Sequence, residues 1–171
     1  MSQYSLQSEQ PNLVENHDIP VKNFSTVTDW LWRGGQPNSV AMEALVKHGV
    51  RTIISLRWNL VVIKAERALA KQHGLNFYSI PLSYWILPTA KEIDFFLSIL
   101  DDQNKHPIFM HCLHGRDRTG MLTAIYRIAR ENWTANDAYA EMKAKGFRHI
   151  RMHQFKWAVY GFERRLKRGR K

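Results

Sequence analysis

Pro107-Ile108-Phe109-Met110-His111-Cys112-Leu113-His114-Gly115-Arg116-Asp117-Arg118-Thr119-Gly120 is the stretch on which the reading of this chain turns. It opens as a short apolar run, which reads as a buried strand. It closes into Met121-Leu122-Thr123-Ala124-Ile125-Tyr126-Arg127-Ile128, an apolar segment that reads as a helix. Between them lies a polar turn holding the only cysteine of the chain. A strand, a turn and a helix in that order aim backbone N–H groups and a helix N-terminus at an anion.

Working outward, the same alternation recurs. Phe24–Val27 and Trp30–Arg33 read as two short strands, and Gly34-Gly35-Gln36-Pro37 breaks the chain after them. Asn38 or Ser39 caps a helix that stops at Gly49. Thr52-Ile53-Ile54-Ser55-Leu56 is a β-branched run and a buried strand. A helix from Leu60 to His73 is followed by a strand from Asn76 to Ile80. Thr89-x-x-Glu92 is a capping box for the next helix. After the central loop come a helix from Thr119 to about Arg130, one capped by Thr134, and a last one carrying Phe155, Val159, Phe162 and Leu166. Strands alternating with helices predict an α/β fold: a central, mainly parallel sheet flanked by helices. Ligands bind such sheets beyond the carboxyl ends of the strands, where His111 and Cys112 fall.

Composition sets outer bounds. At 171 residues the chain suits one domain, expected at 21–163, after a polar and flexible segment 1–20 and before a basic tail 164–171. The tail holds six cations, without which the formal charge falls from +10 to +4. It is either a partner site for nucleic acid or anionic lipid, or a solvated helix end. A single cysteine excludes an intrachain disulfide and fits a reducing cytoplasm. The first twenty residues lack Lys, Arg and an apolar run, so no signal peptide is expected. No stretch reaches the roughly 18–20 apolar residues of a membrane span.

The loop supports a specific chemistry. Cys112 is the candidate nucleophile, because a thiol at a helix N-terminus among cations is biased towards thiolate. Arg116 and Arg118 supply part of that field. Arg118 follows Cys112 after five residues, and its planar fork suits two phosphoryl oxygens. The turn from Leu113 through His114, Gly115, Arg116 and Asp117 to Arg118 is expected to cradle the phosphate. Gly115 allows the tight turn and Gly120 allows close packing behind it. Thr119 either hydrogen-bonds the Cys112 sulfur or merely caps the helix. His111 is expected to orient the loop. Trp58 and Trp85 either wall the pocket or belong to the core.

His111-Cys112-x5-Arg118-Thr119-Gly120 resembles the signature of the protein tyrosine and dual-specificity phosphatase superfamily. Leu31-Trp32-Arg33-Gly34-Gly35-Gln36-Pro37 is similar to a segment near the start of many small dual-specificity-like phosphatases. Further likeness lies in Thr52–Arg57, Ile80-Pro81-Leu82, and Tyr126-Arg127 through Glu141-Met142. The resemblance covers roughly residues 24–160 and is to small bacterial enzymes with a His-Gly-x-Asp-Arg-Thr-Gly loop. It implies a dual-specificity phosphatase fold and two-step hydrolysis of phosphomonoesters through a phosphocysteine, without metal or organic cofactor. The implied substrates are phosphorylated protein, lipid or inositol.

One part of the family pattern is missing. Such enzymes carry an Asp general acid in the loop that here reads Leu82-Ser83-Tyr84-Trp85-Ile86-Leu87-Pro88. Either Asp117 serves as the acid, as at the matching place in myotubularin-like lipid phosphatases, or it only shapes the loop or pairs with Arg116. A phosphoanhydride would need little protonation. Cysteine-type RNA 5′-triphosphatases share His114-Gly115 but have Asn at the position of Asp117. A polynucleotide 5′-phosphatase is therefore the alternative. His114 and Arg116 either bind a second phosphate at the rim or only tune Cys112.

Overall fold

Four short strands run parallel or nearly so and place every functional loop at one end of the sheet. The computed structural model describes residues 18–169. Its strands are β1 (Ser25–Thr26), β2 (Leu31–Gly34), β3 (Thr52–Ser55), β4 (Asn76–Ser79) and β5 (Ile108–His111). They form one sheet in the order β1-β2-β5-β3-β4. Only β1 is antiparallel to its neighbour. The parallel register sets Gly34, His111 and Ser55 side by side, and Ser79 lies beside Ser55. The chain therefore leaves β2, β5, β3 and β4 at one level.

The helices are α1 (Ser39–Lys47), α2 (Leu60–Gln72), α3 (Ala90–Asp101), α4 (Asp117–Arg130), α5 (Ala135–Ala144) and α6 (His153–Gly169). Their starts follow local chemistry. The Asn38 side chain accepts from Ala41 N, and Asn59 accepts from Val61 N and Val62 N. Thr89 and Glu92 make the reciprocal capping box, and Thr134 accepts from Asp137 N.

Strand residues alternate between two cores. Trp32, Ile53 and Phe109 point to the side of α1, with Ala41, Met42 and Leu45. Leu31, Ile54, Ile108 and Met110 point to the other side, against α3, α4, α5 and α6. Burial on both faces is what a parallel sheet requires. In α4 only Arg127 and Arg130 escape burial, because the helix packs on the sheet below and on α5 and α6 above.

Three details refine the sequence reading. The first hairpin strand is only Ser25–Thr26, since the Thr28 hydroxyl accepts from Leu31 N at 2.9 Å and turns the chain early. Helix α4 begins at Asp117, not Thr119, and an acidic side chain there suits the positive helix end. Residues 164–169 continue α6, so this part of the basic stretch is a helix end, one of the two readings given above. Of the segment read as flexible, residues 1–17 lie outside the described residues, and Ile19 is buried in the second core. Arg170 and Lys171 of the basic end also lie outside. Among the described residues no helix is long and apolar enough to cross a membrane.

Phe109 joins this architecture to the site. Its ring stacks on Phe24 at 6.3 Å and on His111 at 5.8 Å. Phe109→Ala is expected to cost about 3–5 kcal/mol, measured as a lowered denaturant midpoint at unchanged m-value.

Candidate active site

Cys112 follows β5 directly and is 2% exposed. Burial alone pushes its thiol up. The Thr119 hydroxyl, the charge of Arg118 and the backbone N–H groups of Thr119 and His114 oppose that and carry the net shift downward. Thr119 Oγ1 is buried and without a hydrogen-bond partner, and the influence of this hydroxyl on the Cys112 thiol is downward.

Arg118 lies in the first turn of α4 and is 2% exposed. Its Nη1 donates to the carbonyls of Leu56 at 3.1 Å and Leu82 at 3.0 Å. These residues follow β3 and β4. The guanidinium also lies 5.1 Å from the Tyr84 ring centroid. A buried cation at the positive end of a helix is unfavourable without an anion beside it. Two carbonyl dipoles fix the plane of the fork and face its charge.

The turn itself rests on glycine. Gly115 has φ +69, and a Cβ there would lie 2.4 Å from the Gly34 carbonyl carbon and 2.6 Å from Gly35 N. Backbone packs on backbone here; a Cβ at Gly34, the last residue of β2, would itself meet Val21 Cγ1 at 2.6 Å, and one at Gly35 the Leu113 and Lys22 carbonyls at 3.2 Å. Arg33, 2% exposed, donates from Nη2 to the Gly115 carbonyl at 2.9 Å. Burial pulls Arg33 down to about 10, against Glu141 and Cys112. Asn23 Nδ2 donates to the His114 carbonyl at 2.7 Å.

Behind the loop, His111 is fully buried. Its Nδ1 donates to the Cys112 carbonyl at 3.3 Å. Its Nε2 lies 2.7 Å from Glu66 Oε1. Glu66 Oε2 accepts from Ser55 Oγ at 2.8 Å. His111 thus has an orienting geometry and no access to solvent.

Asp117 is buried and faces Arg148, not Arg116. Oδ1 accepts from Arg148 N at 3.0 Å, and Oδ2 accepts from Nε at 3.0 Å and Nη2 at 2.7 Å. That pair holds Arg148 above the usual arginine range, the Asp117 bond being the main cause. His114 is pushed down by burial and then by Arg116, Lys22 and Arg148, against Asp117. Arg57, after β3, is pushed down by burial and by Arg118, against Cys112. It adds a further cation at the mouth. A cleft of about 440 Å³ opens beside the loop, lined by Tyr84, Trp85, Arg148, Arg151, Met152 and Gln154. Trp85 does line this cleft. Trp58 is exposed.

Leu113, His114, Gly115 and Arg116 form the bend between β5 and α4, and Asp117 and Arg118 open the helix. Sequence reasoning missed Arg33, Glu66 and Arg148. Glu66 had a signal: it falls on the same face of α2 as Ile63 and Ala70, both buried. Arg148 had none, lying 31 residues from its partner. Among the described residues no group of His, Cys, Asp and Glu could hold a metal ion.

Comparison with known proteins gives the family. The family described as "DSP-PTPase phosphatase fused to NAD+ Kinase" matches residues 14–158, and the chain belongs to that family of dual-specificity phosphatase domains. The dual specificity protein phosphatase TpbA of Pseudomonas aeruginosa is 27% identical over 128 residues, covering 75% of this chain and 56% of that protein. The inositol diphosphatase DSP3 of Arabidopsis thaliana is 30% identical over 134 residues, covering 74% of this chain and 64% of that one. The chain thus spans less than two thirds of either relative. The catalytic core of the PP-IP phosphatase SIW14 from S. cerevisiae has the same fold, with a TM-score of 0.68 at 22% identity over 81% of this chain and 86% of that one.

Gly115→Ala forces a Cβ into the Gly34 backbone at a left-handed φ. The loop must shift, at about 1–3 kcal/mol of strain. Turnover of an aryl phosphate is expected to fall ~10²-fold, while circular dichroism stays native. Activity equal to the parent would remove the backbone contact from the account.

Proposed function

We propose that this chain is a cysteine-dependent phosphatase that hydrolyses phosphomonoesters through a phosphocysteine. The observation that carries this reading is the convergence of a thiol biased towards thiolate with Arg118, whose fork two strand-end carbonyls hold rigid. In the first step the Cys112 thiolate attacks phosphorus. A sulfur–phosphorus bond forms, and the leaving oxygen departs with the electron pair of its bond to phosphorus. In the second, water attacks the phosphocysteine, phosphate leaves and the thiolate returns. Arg118 and the N–H groups of the turn follow the charge on the phosphoryl oxygens through both steps.

The leaving group decides the substrate class. Residues 82–88 contain no carboxylate. The one polar hydroxyl of the turn that is not phenolic, Ser83 Oγ, accepts from Trp85 N and Ile86 N. Both oxygens of Asp117 accept from Arg148, so a proton on that carboxyl would displace a donor. We therefore read Asp117 as a positioning residue that holds the Arg148 segment at the rim, instead of the proton donor considered from the sequence. A site without a well-placed acid favours leaving groups that need little protonation. Phosphotyrosine, and a diphosphate on an inositol ring, meet that condition better than phosphoserine or phosphothreonine. The names of the two curated relatives, a dual specificity protein phosphatase and an inositol diphosphatase, are consistent with it. Arg57, Arg116 and Arg148 at the mouth suit a substrate with more than one phosphate. A triphosphate-ended RNA shares the anhydride chemistry and belongs in the same substrate panel, as do phosphoinositides.

Cys112→Ser is expected to abolish turnover of p-nitrophenyl phosphate while inorganic phosphate still binds. Full activity in that variant would end the proposal. Asp117→Asn is expected to slow aryl and alkyl phosphates by similar factors. A loss ~10²-fold greater for alkyl phosphates would return the proton-donor role to Asp117.

A further inference from the structure

The mouth of the site carries an unusual surface. Ten large apolar side chains are exposed among the described residues. Six of them lie on three segments that meet at the mouth: Trp58, Leu60 and Val61 after β3, Trp85 and Ile86 after β4, and Ile150 between α5 and α6. Arg118 ties the first two segments together through Leu56 and Leu82. Gln154 Nε2 donates to the Tyr84 carbonyl and ties in the third. These side chains stand out from the surface: Trp85 is 89% exposed, Ile150 82% and Val61 79%.

Charge on the same segments has one sign. Residues 57–65, 81–91, 113–116 and 143–153 contain eight lysines and arginines and no aspartate or glutamate. Asp117, the acid of the loop, is buried against Arg148. Exposed acids lie elsewhere, at Asp94, Asp101 and Asp137 for example.

We propose that this rim docks on an anionic phospholipid surface, with the phosphate site facing the headgroups. Isolated exposed apolar residues are ordinary, but a contiguous set of them marks an interaction site. Trp at the headgroup level and Ile, Leu and Val just below it, ringed by Lys and Arg, are the features of an interfacial anchor. Cations near such a surface add attraction to anionic lipid. The shape favours a bilayer over a peptide. A peptide needs a groove to receive its side chains; of the six apolar groups only Trp85 lines the cleft beside the loop, and the other five protrude from three separate segments and suit a fluid, deformable partner. The rim is distinct from the basic end of α6, and its docking does not depend on the catalytic reading above.

Sedimentation of the 171-residue chain with vesicles tests this. Phosphatidylcholine vesicles containing about a third phosphatidylserine are expected to carry the protein down, and pure phosphatidylcholine vesicles much less. Leu60→Ser, Ile86→Ser and Ile150→Ser combined should weaken that binding about tenfold or more, with the thermal midpoint and p-nitrophenyl phosphate turnover unchanged. Ile150→Asp alone should weaken it as well and guards against misfolding of the triple variant. Failure to bind the anionic vesicles would overturn the proposal. So would a triple variant that binds like the parent, which would assign the attraction to the basic helix end. A raised KM for a phosphopeptide without any vesicle binding would make the rim a peptide site and overturn it too.

Discussion

One guanidinium nitrogen holds this site together. Arg118 Nη1 donates to the Leu56 and Leu82 carbonyls and so joins the first turn of α4 to the ends of β3 and β4. Strand carbonyls at that level have run out of ladder partners, and a buried carbonyl without a donor is costly. The arginine satisfies two of them and is fixed by doing so. Its remaining charge faces the turn in front of Cys112. The segments that leave Leu56 and Leu82 then form the rim, so the catalytic fork and the outer surface share one anchor.

The loop is as much a product of close backbone packing as of charge. Gly115 rests on Gly34 and Gly35 with no room for a side chain, and Arg33 closes the contact from behind. This lets the chain turn around an anion with its N–H groups inward. Burial of Cys112 would by itself favour the neutral thiol. The donors that Thr119, Arg118 and the turn direct at sulfur reverse that preference. His111, wedged between the Cys112 carbonyl and Glu66, keeps the loop in register with the sheet.

Much of this was legible in the sequence because it is local. The apolar run, the polar turn and the apolar helix after it announce a strand, an anion loop and a helix. Asn38, Thr89 and Thr134 announce helix starts, and each caps as expected. The Arg33-Gly34-Gly35 segment was legible as a strand end and a chain break, but its packing on the loop was not, because its partner Gly115 is 82 residues beyond Arg33. Glu66 could have been found as an acid on the buried face of α2. Arg148 and the start of α4 at Asp117 could not, since they depend on each other across the fold. The rim was hidden for the same reason: its apolar residues are scattered in sequence and gather only where the strands end.

The state of the Cys112 sulfur underlies the whole account. Its rate of alkylation by iodoacetamide as a function of pH reports it directly, and with one cysteine in the chain there is no other thiol to confuse the readout. The account requires a midpoint below that of a free cysteine, roughly 8.5, because the donors around the sulfur stabilise the thiolate, and it requires inorganic phosphate to slow the reaction by occupying the loop. A midpoint at or above the free value, or alkylation indifferent to phosphate, would contradict it.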